Sequence, residues 1–474
     1  MLKKYIQKLK PHHRINRLYL LGILVCFFVL LGARLHVDHF TTGDEPHYLL
    51  MDYSLKNDKD LNLKNNYINK DYWQYYPEYI PPHVSHLNLE NEASGWYSFH
   101  GIGLPLLIFP FFLIAEKSGP MVFMTLVATA TVALAVVWAF IVTRNKRASV
   151  LAGVALLCCY FFNGLSGYLY PDLLITLLTL GSFIILGSGI YRNKFWQLSL
   201  GLILGAMVFI HFRTIALALP IAAAFFYLHW RAFGRKIPWP FLTPGILLAV
   251  LFFFTLHRWF GVWEPNAIYS SHVGVSIKSL INTPAILFDS LRGSLAYNPI
   301  LFVVPIGLPL WYKYSKRTFM LLITLLPILF VIFGFNEWHG GYSPNGRYLM
   351  SILPVLLPAV CLFYIYAKDK FHRAVFYALL ACTFVISIFA ILIKQPYTGY
   401  STRSEIFIDI EKYTQIPIDK AFPTYYFIDN SLTDRYGAIQ AVFWMIVLVS
   451  LFVYGVILTK RKSGVLRNGK RKRQ

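Results

Sequence analysis

The amino-acid sequence predicts an all-α, polytopic membrane protein. Of its 474 residues, 57% are hydrophobic and only 14% are charged, whereas soluble globular proteins have about 25% charged residues. The mean hydropathy is +0.52. The apolar residues are gathered in runs close to the ~20 residues that a helix needs to cross a bilayer. Together these observations exclude a soluble multidomain enzyme and a disordered chain.

Twelve apolar segments are predicted to be spanning helices. They are residues 18–36, 120–142, 148–166, 172–190, 196–211, 214–230, 241–257, 298–312, 318–335, 347–366, 373–393 and 438–459. A thirteenth segment, 101–116, is short and contains Pro105 and Pro110, so we expect it to be re-entrant or interfacial; a thirteenth full crossing is the alternative. The sequence therefore predicts one membrane domain of about 12–13 helices over residues 1–459, followed by a basic tail at 460–474.

The basic residues predict how these helices are oriented. The N-terminal segment, five short loops and the tail hold 28 of the 44 Lys and Arg residues but only one of the 22 acids, Asp369. Basic loops lie on the cytoplasmic side, so the net charge of +22 indicates contact with anionic lipid head groups and not with nucleic acid. The first apolar segment has no small-residue cleavage site after it and is predicted to be an uncleaved helix. Four outer loops follow from this orientation: 37–100, 258–297, 336–346 and 394–437.

Two adjacent carboxylates, Asp44 and Glu45, follow the first predicted helix in the sequence Gly-Asp-Glu-Pro-His. A carboxylate at this place can deprotonate a hydroxyl or bind a divalent cation. Asp44 could instead cap a short helix that has Pro46 in its first turn. Because a cap needs only one acid, the pair favours a functional site, and it leaves open a metal ion bound by Glu45.

Asp172 and Arg213 are charged residues placed against apolar segments. Asp172 follows Tyr168-Leu-Tyr-Pro and opens a helix on the predicted outer side, where it is either a helix cap or a site residue. Arg213 lies between two apolar runs, where an unpaired charge is costly. It either pairs with an acid such as Asp172 or binds an anionic ligand, and the sequence leaves both alternatives open.

The segment from residue 335 to residue 348 combines glycines with ionisable side chains. Arg347 starts the next helix, where a cation and the helix N-terminus can together hold a phosphate, although it could also extend to the interface as a lipid-facing arginine. Glu337 and His339 precede it as further candidate ligand contacts, and His100 in the first outer loop is another. Arg258 and Arg292, in the second outer loop, are weaker candidates.

Together these motifs resemble the GT-C class of integral-membrane glycosyltransferases, in particular the protein O-mannosyltransferases and the aminoarabinose transferases that modify lipid A. The resemblance rests on the Gly-Asp-Glu-Pro-His-Tyr segment, the Tyr-Pro-Asp segment and the Gly-Arg-Tyr-Leu segment. It implies a sugar donor linked to polyprenyl phosphate and an extracytoplasmic active site in the plasma membrane, as in bacteria. In this comparison Asp44 matches the general base and Glu45 the second acid of the pair. Asp172 matches an acid of the second outer loop, while Arg347 and Tyr348 match the segment that contacts the carrier phosphate.

The predicted function is therefore transfer of a sugar from polyprenyl phosphate to an extracytoplasmic lipid, glycan or protein, with inversion at the anomeric carbon. There is no Walker A loop and no GxGxxG segment, so no nucleotide cofactor is expected. Two alternatives remain: a transporter or flippase of lipid-linked sugars, and a non-catalytic membrane assembly subunit. A transporter more often has charges near the membrane midplane and an inverted repeat, and neither is visible in this sequence.

Overall fold

The structure is a computed structural model that describes most of the chain. The described residues are 13–36, 41, 43–82, 87–89, 95–264, 283–335, 338, 340, 343, 346–392, 404–426, 431–432 and 435–461. Glu337 and His339, two candidate site residues, lie outside them, as does the predicted basic tail beyond residue 461.

Seven stretches of the described chain are helical, long and apolar enough to cross a membrane: Ser118–Thr143, Pro171–Ser188, Phe212–Phe233, Trp239–Phe260, Lys316–Phe333, Lys370–Leu392 and Ile439–Lys460. Four shorter apolar helices accompany them: Tyr19–Leu35, Gly103–Ala115, Lys194–Ile210 and Leu353–Tyr366. The protein is thus an all-α, multi-pass membrane protein, as the sequence predicts. The predicted domain limits and the re-entrant placement of 101–116 stay predictions.

The elements are numbered here in chain order over the described residues. The α-helices are α1 His13–His36, α2 Glu45–Asn57, α3 Lys64–Ile68, α4 Gly103–Ala115, α5 Ser118–Thr143, α6 Lys146–Leu157, α7 Tyr160–Leu165, α8 Pro171–Ser188, α9 Lys194–Ile210, α10 Ile215–Phe233, α11 Trp239–Phe260, α12 Thr283–Phe288, α13 Ser294–Tyr297, α14 Val304–Tyr314, α15 Lys316–Met320, α16 Leu326–Phe333, α17 Leu357–Tyr366, α18 Lys370–Leu392, α19 Glu405–Thr414 and α20 Arg435–Arg461. The 3-10 helices are Asp71–Gln74, Ile190–Arg192, Phe212–Thr214, Pro299–Val303, Leu321–Leu325, Arg347–Ser351, Leu353–Leu356 and Ile418–Ala421. A short antiparallel pair, β1 Tyr425–Tyr426 and β2 Ser431–Leu432, lies before α20.

Four of the predicted spanning segments are interrupted helices. The segment predicted at 148–166 breaks between α6 and α7, and those predicted at 298–312, 318–335 and 347–366 each contain 3-10 turns. At the first break, the side-chain amide of Asn163 donates a hydrogen bond of 2.7 Å to the carbonyl of Leu157 and another of 2.8 Å to Ser387 Oγ. A broken helix inside a membrane protein needs such partners, because lipid offers none.

The core of the bundle is centred on Trp138 of α5, which is fully buried. Its indole N–H donates a hydrogen bond of 2.9 Å to the carbonyl of Val355. The ring lies edge-on to Phe183 and Trp311, with centroids 5.7 and 6.1 Å away. Buried indoles commonly combine ring packing with one hydrogen bond in this way. Helices α5, α8 and α14 are therefore joined at one point of the core.

A close backbone contact fixes the start of α4 near the turn that carries Arg213. A Cβ atom added to Gly101 would lie 2.4 Å from the carbonyl oxygen of Ile210, and one added to Gly103 would lie 2.7 Å from the Ile210 nitrogen. Only glycine permits this approach between α4 and the end of α9. Helix α2 packs on the same α4, so the two segments that carry Asp44 and Arg213 are held beside each other.

Candidate functional site

Four charged side chains from separate parts of the chain meet in one network. Arg347 Nη2 donates to Asp44 Oδ2 at 2.5 Å, and Arg347 Nε donates to Asp172 Oδ2 at 2.8 Å. The second oxygen of Asp172 accepts a hydrogen bond from Arg213 Nη2. The structure thus brings together four residues that the sequence analysis selected separately.

This network is buried and balanced in charge. The side chain of Asp172 is 0% exposed and that of Arg347 is 6% exposed, whereas that of Asp44 is 20% exposed. Two carboxylates face two guanidinium groups, so each buried charge has an opposite partner, as burial of charge requires. Asp44 is the acid of this network that solvent or a substrate can reach.

Neither acid acts as a side-chain helix cap. Asp44 precedes α2 in the N-cap position, but its backbone is helical (φ −78°, ψ −15°) and its side chain makes no capping hydrogen bond. Asp172 lies in the first turn of α8, after Tyr170 in the N-cap position and Pro171. The capping alternative is therefore wrong for both residues, since their carboxylates bind arginines instead.

Aromatic faces line the two arginines. The guanidinium carbon of Arg347 lies 4.2 Å from the centroid of the Tyr170 ring, and that of Arg213 lies 4.9 Å from the Tyr348 ring. Such stacking stabilises a cation where water is excluded. Tyr348 was a predicted site residue, whereas Tyr170 was missed, because a tyrosine next to Pro171 carries no signal of its role in the sequence.

Glu45 is turned towards the main chain that carries Tyr170. Its Oε1 accepts a hydrogen bond of 3.0 Å from the backbone N–H of Leu169, and the residue is 1% exposed. In the described residues, no group of three His, Cys, Asp or Glu side chains is arranged to hold a metal ion. The Glu45 carboxylate thus contacts the 168–170 segment, and a metal ion bound by Glu45 stays a prediction.

A row of aromatic and imidazole rings adjoins Asp44 along α2. The His47 Nδ1 atom shares a hydrogen bond of 2.6 Å with the hydroxyl of Tyr67, and the His47 ring stacks on His100 with centroids 5.1 Å apart. His100 also lies 5.3 Å from the Tyr48 ring. His100 thus lies beside the helix that Asp44 precedes, while its predicted role in substrate binding stays a prediction.

The two weaker arginine candidates differ in position. Arg258 is exposed near the end of α11. Arg292 is buried, and its Nη1 donates a hydrogen bond of 2.7 Å to the carbonyl of Ser343 in the loop that precedes Arg347. Sequence reasoning gave both the same weight because it could not tell which one is buried.

Comparisons with known proteins complete this description. Neither protein-family models nor curated proteins give a match to this sequence. Among solved structures, the chain is similar to ArnT from Cupriavidus metallidurans, solved with undecaprenyl phosphate, at 11% identity and a TM-score of 0.46, covering 96% of this chain and 79% of that one. It is also similar to the archaeal oligosaccharyltransferase AglB from Archaeoglobus fulgidus, solved with an inhibitory peptide and a dolichol phosphate, at 13% identity and a TM-score of 0.44, covering 89% of this chain and 61% of that one.

Both similar structures are of the GT-C class, the class that the sequence motifs resemble. At these identities and TM-scores the likeness concerns the arrangement of helices, and it transfers no residue role to this chain.

Proposed function

We propose that this protein is a glycosyltransferase that moves a sugar from a polyprenyl-phosphate donor to a hydroxyl of a lipid, glycan or protein at the outer face of the plasma membrane. The observation that carries the proposal is the pairing of Asp44 with Arg347 in a buried network at the ends of several membrane helices. A base and a phosphate-binding cation are the two groups that this transfer needs, and here they are in direct contact.

The chemistry requires little else from the protein. The oxygen of the acceptor hydroxyl attacks the anomeric carbon while the bond from that carbon to the phosphate oxygen breaks. The electron pair leaves with the phosphate, and the hydroxyl proton passes to the Asp44 carboxylate. Arg347 and Arg213 stabilise the negative charge that grows on the departing phosphate. Attack from the side opposite the phosphate inverts the anomeric carbon.

Donor binding and base activation are coupled in this arrangement. The network of Asp44, Asp172, Arg213 and Arg347 is neutral without substrate, so a phosphate that approaches Arg347 must take the place of one carboxylate. Asp172 is fully buried and bonded to both arginines, whereas Asp44 is 20% exposed and bonded in this network through one oxygen. The phosphate therefore displaces Asp44, and a carboxylate released from an arginine is a stronger base.

Asp44→Asn tests the base directly. Purified protein in nanodiscs is given a panel of radiolabelled sugars on undecaprenyl phosphate, together with a membrane extract that supplies acceptors. We expect the wild type to release undecaprenyl phosphate and transfer the label. We expect Asp44→Asn to lose about 10²–10⁴-fold in rate, as for the loss of a general base, while its thermal unfolding midpoint shows that it is folded.

Asp58→Asn is the matched control, because Asp58 is an exposed carboxylate directly after α2. Its Oδ2 accepts hydrogen bonds from the side-chain amides of Asn65 and Asn66, and asparagine keeps an acceptor for them. It is expected to transfer at the rate of the wild type. Transfer that survives Asp44→Asn would contradict the base assignment. Absence of transfer from every donor, combined with movement of the intact donor across sealed vesicles, would contradict the transferase and support the flippase alternative.

A further inference from the structure

A second buried arginine holds the loop that ends at Arg347. Arg292 is 3% exposed, and its Nη1 donates a hydrogen bond of 2.7 Å to the main-chain carbonyl of Ser343. Ser343 is itself fully buried and lies four residues before Arg347. A hydrogen bond from a guanidinium group is charge-assisted and stronger than a neutral one. Arg292 is therefore placed to fix this part of the main chain.

The turn that carries Arg292, between α12 and α13, is internally braced. Asp289 Oδ1 accepts hydrogen bonds from the backbone N–H groups of Leu291 at 2.9 Å and of Arg292 at 2.6 Å. The hydroxyl of Tyr297 donates to the carbonyl of Ser290 at 2.9 Å. Because the main chain of Arg292 is held at several points, its guanidinium group has a defined place from which to act.

Two observations place Ser343 and Gly340 near Arg347. Ser343 Oγ donates a hydrogen bond of 2.7 Å to the carbonyl of Gly340, and a Cβ atom added to Gly340 would lie 3.9 Å from Cδ of Arg347. On the other side, Gly346 adopts φ +73°, and a Cβ atom there would lie 2.7 Å from Ser294 Oγ. Gly340 thus lies near the stem of Arg347, and Gly346 lies close to Ser294 at the start of α13.

We propose that Arg292 is a positioning residue for Arg347, acting through the Ser343 carbonyl. It keeps the guanidinium group of Arg347 in the place where the carrier phosphate binds. The inference rests on the proposed function, in which Arg347 holds that phosphate. On this proposal, Arg292 in the predicted second outer loop influences donor affinity without touching the donor, because its guanidinium group bonds to the Ser343 main-chain carbonyl.

A double-mutant cycle on undecaprenyl phosphate binding tests this role. Wild type, Arg292→Gln, Arg347→Gln and the double variant are titrated with undecaprenyl phosphate in nanodiscs. We expect affinity to fall about 10-fold for Arg292→Gln and about 100-fold for Arg347→Gln, as for the loss of charge-assisted hydrogen bonds. The double variant should bind no more weakly than Arg347→Gln, since Arg292 acts only through Arg347. Multiplication of the two losses, or wild-type affinity in folded Arg292→Gln, would overturn the proposal.

Hydrogen exchange separates this inference from the proposed function. Arg292→Gln should exchange faster in the peptide 346–351, whatever Arg347 binds, and unchanged exchange there would overturn the positioning role. If Arg292→Gln exchanges faster but Arg347→Gln binds undecaprenyl phosphate as tightly as the wild type, only the phosphate role of Arg347 is contradicted. The positioning role of Arg292 then still stands.

Arg317→Gln is the matched control for this experiment. Arg317 Nη2 also lies near a carbonyl, that of Leu186, at 3.5 Å, but at the end of α8 opposite to Asp172. We expect this variant to keep wild-type affinity and exchange in the peptide 346–351. If Arg292→Gln does not fold, Arg292→Lys, which keeps the charge and a hydrogen-bond donor, takes its place in the cycle. We expect it to lose less undecaprenyl phosphate affinity than the 10-fold expected for Arg292→Gln, and wild-type affinity in Arg292→Lys would overturn the proposal.

Discussion

A buried carboxyl group, Asp52, is expected to make the stability of α2 depend on pH. Asp52 is 0% exposed, and neither of its side-chain oxygens has a hydrogen-bond partner in the structure. Burial raises the pKa of Asp52 from its ordinary value of 3.8 to about 9, because a charged carboxylate is poorly solvated there. At pH 7 the folded protein therefore holds Asp52 as a neutral acid.

The size of the effect follows from proton linkage. Between about pH 4 and pH 9 the folded state binds one proton on Asp52 that the unfolded state releases. The contribution of this group to the free energy of unfolding is therefore complete below about pH 4 and is lost as the pH rises towards about 9. The loss is ~1.4 kcal/mol per pH unit. From pH 6 to pH 8, the wild type should lose ~2.7 kcal/mol relative to Asp52→Asn, which keeps the shape but does not titrate.

Hydrogen exchange of the α2 amides measures this difference locally. The intrinsic exchange rate changes equally in both proteins, so the ratio of wild-type to Asp52→Asn exchange reports the Asp52 carboxyl alone. This ratio should rise about tenfold per pH unit between pH 6 and pH 8, since ~1.4 kcal/mol is a factor of ten.

The exposed Asp58 provides the control for this measurement. Asp58 Oδ2 accepts hydrogen bonds from Asn65 and Asn66, so the control is the ratio of wild-type to Asp58→Asn exchange, which should not change between pH 6 and pH 8. A wild-type to Asp52→Asn ratio that does not change with pH would refute the reasoning, because it would mean that Asp52 is ionised in the folded protein. Since α2 directly follows Asp44, the same titration should also loosen the base at alkaline pH.

Three further substitutions test the site. Gly346→Ala should weaken undecaprenyl phosphate binding by about tenfold in a titration, because an L-residue at φ +73° costs ~1–2 kcal/mol and its Cβ would lie 2.7 Å from Ser294 Oγ. Glu45→Gln keeps an acceptor for the Leu169 N–H and should unfold in denaturant like the wild type, whereas Glu45→Leu should lose about 1–3 kcal/mol. Asp172→Asn removes a buried carboxylate that two arginines share and should lower stability by about 3–5 kcal/mol; an unchanged unfolding midpoint would contradict the network.

The helices were predictable because each is determined by its own local sequence. A run of apolar residues identifies a candidate membrane helix without any knowledge of its neighbours, and all twelve predicted segments contain helix in the structure. Ten of them coincide with the seven long or four shorter apolar helices, whereas those predicted at 148–166 and 298–312 do not. Their interruptions were not predicted. The break between α6 and α7 depends on Asn163, which bonds to Leu157 nearby but also to Ser387, 224 residues away. A break that is stabilised from a distant helix cannot be recognised from its own segment.

The same holds for the site: its residues could be selected from local sequence, but their contacts with one another could not be predicted from it. Asp172 and Arg213 stand out against apolar sequence, and Asp44 and Arg347 belong to short polar motifs, so their selection needed only local sequence. Their pairing did not follow, because Arg347 is 303 residues from Asp44 in the chain and 2.5 Å from it in space. The alternatives for Arg213 stayed open for this reason, and the structure shows that it pairs with Asp172.

The contact between Asp44 and Arg347 changes what each residue can do in the substrate-free protein. Taken singly, Asp44 could be a base and Arg347 a phosphate ligand, and each could act without the other. In contact, each neutralises the other, so the substrate-free site has neither a strong base nor an open cation in this pair. Under the proposed function, a phosphate that binds Arg347 would release the Asp44 carboxylate as it binds, so the protein would accept the sugar donor before it activates the acceptor hydroxyl.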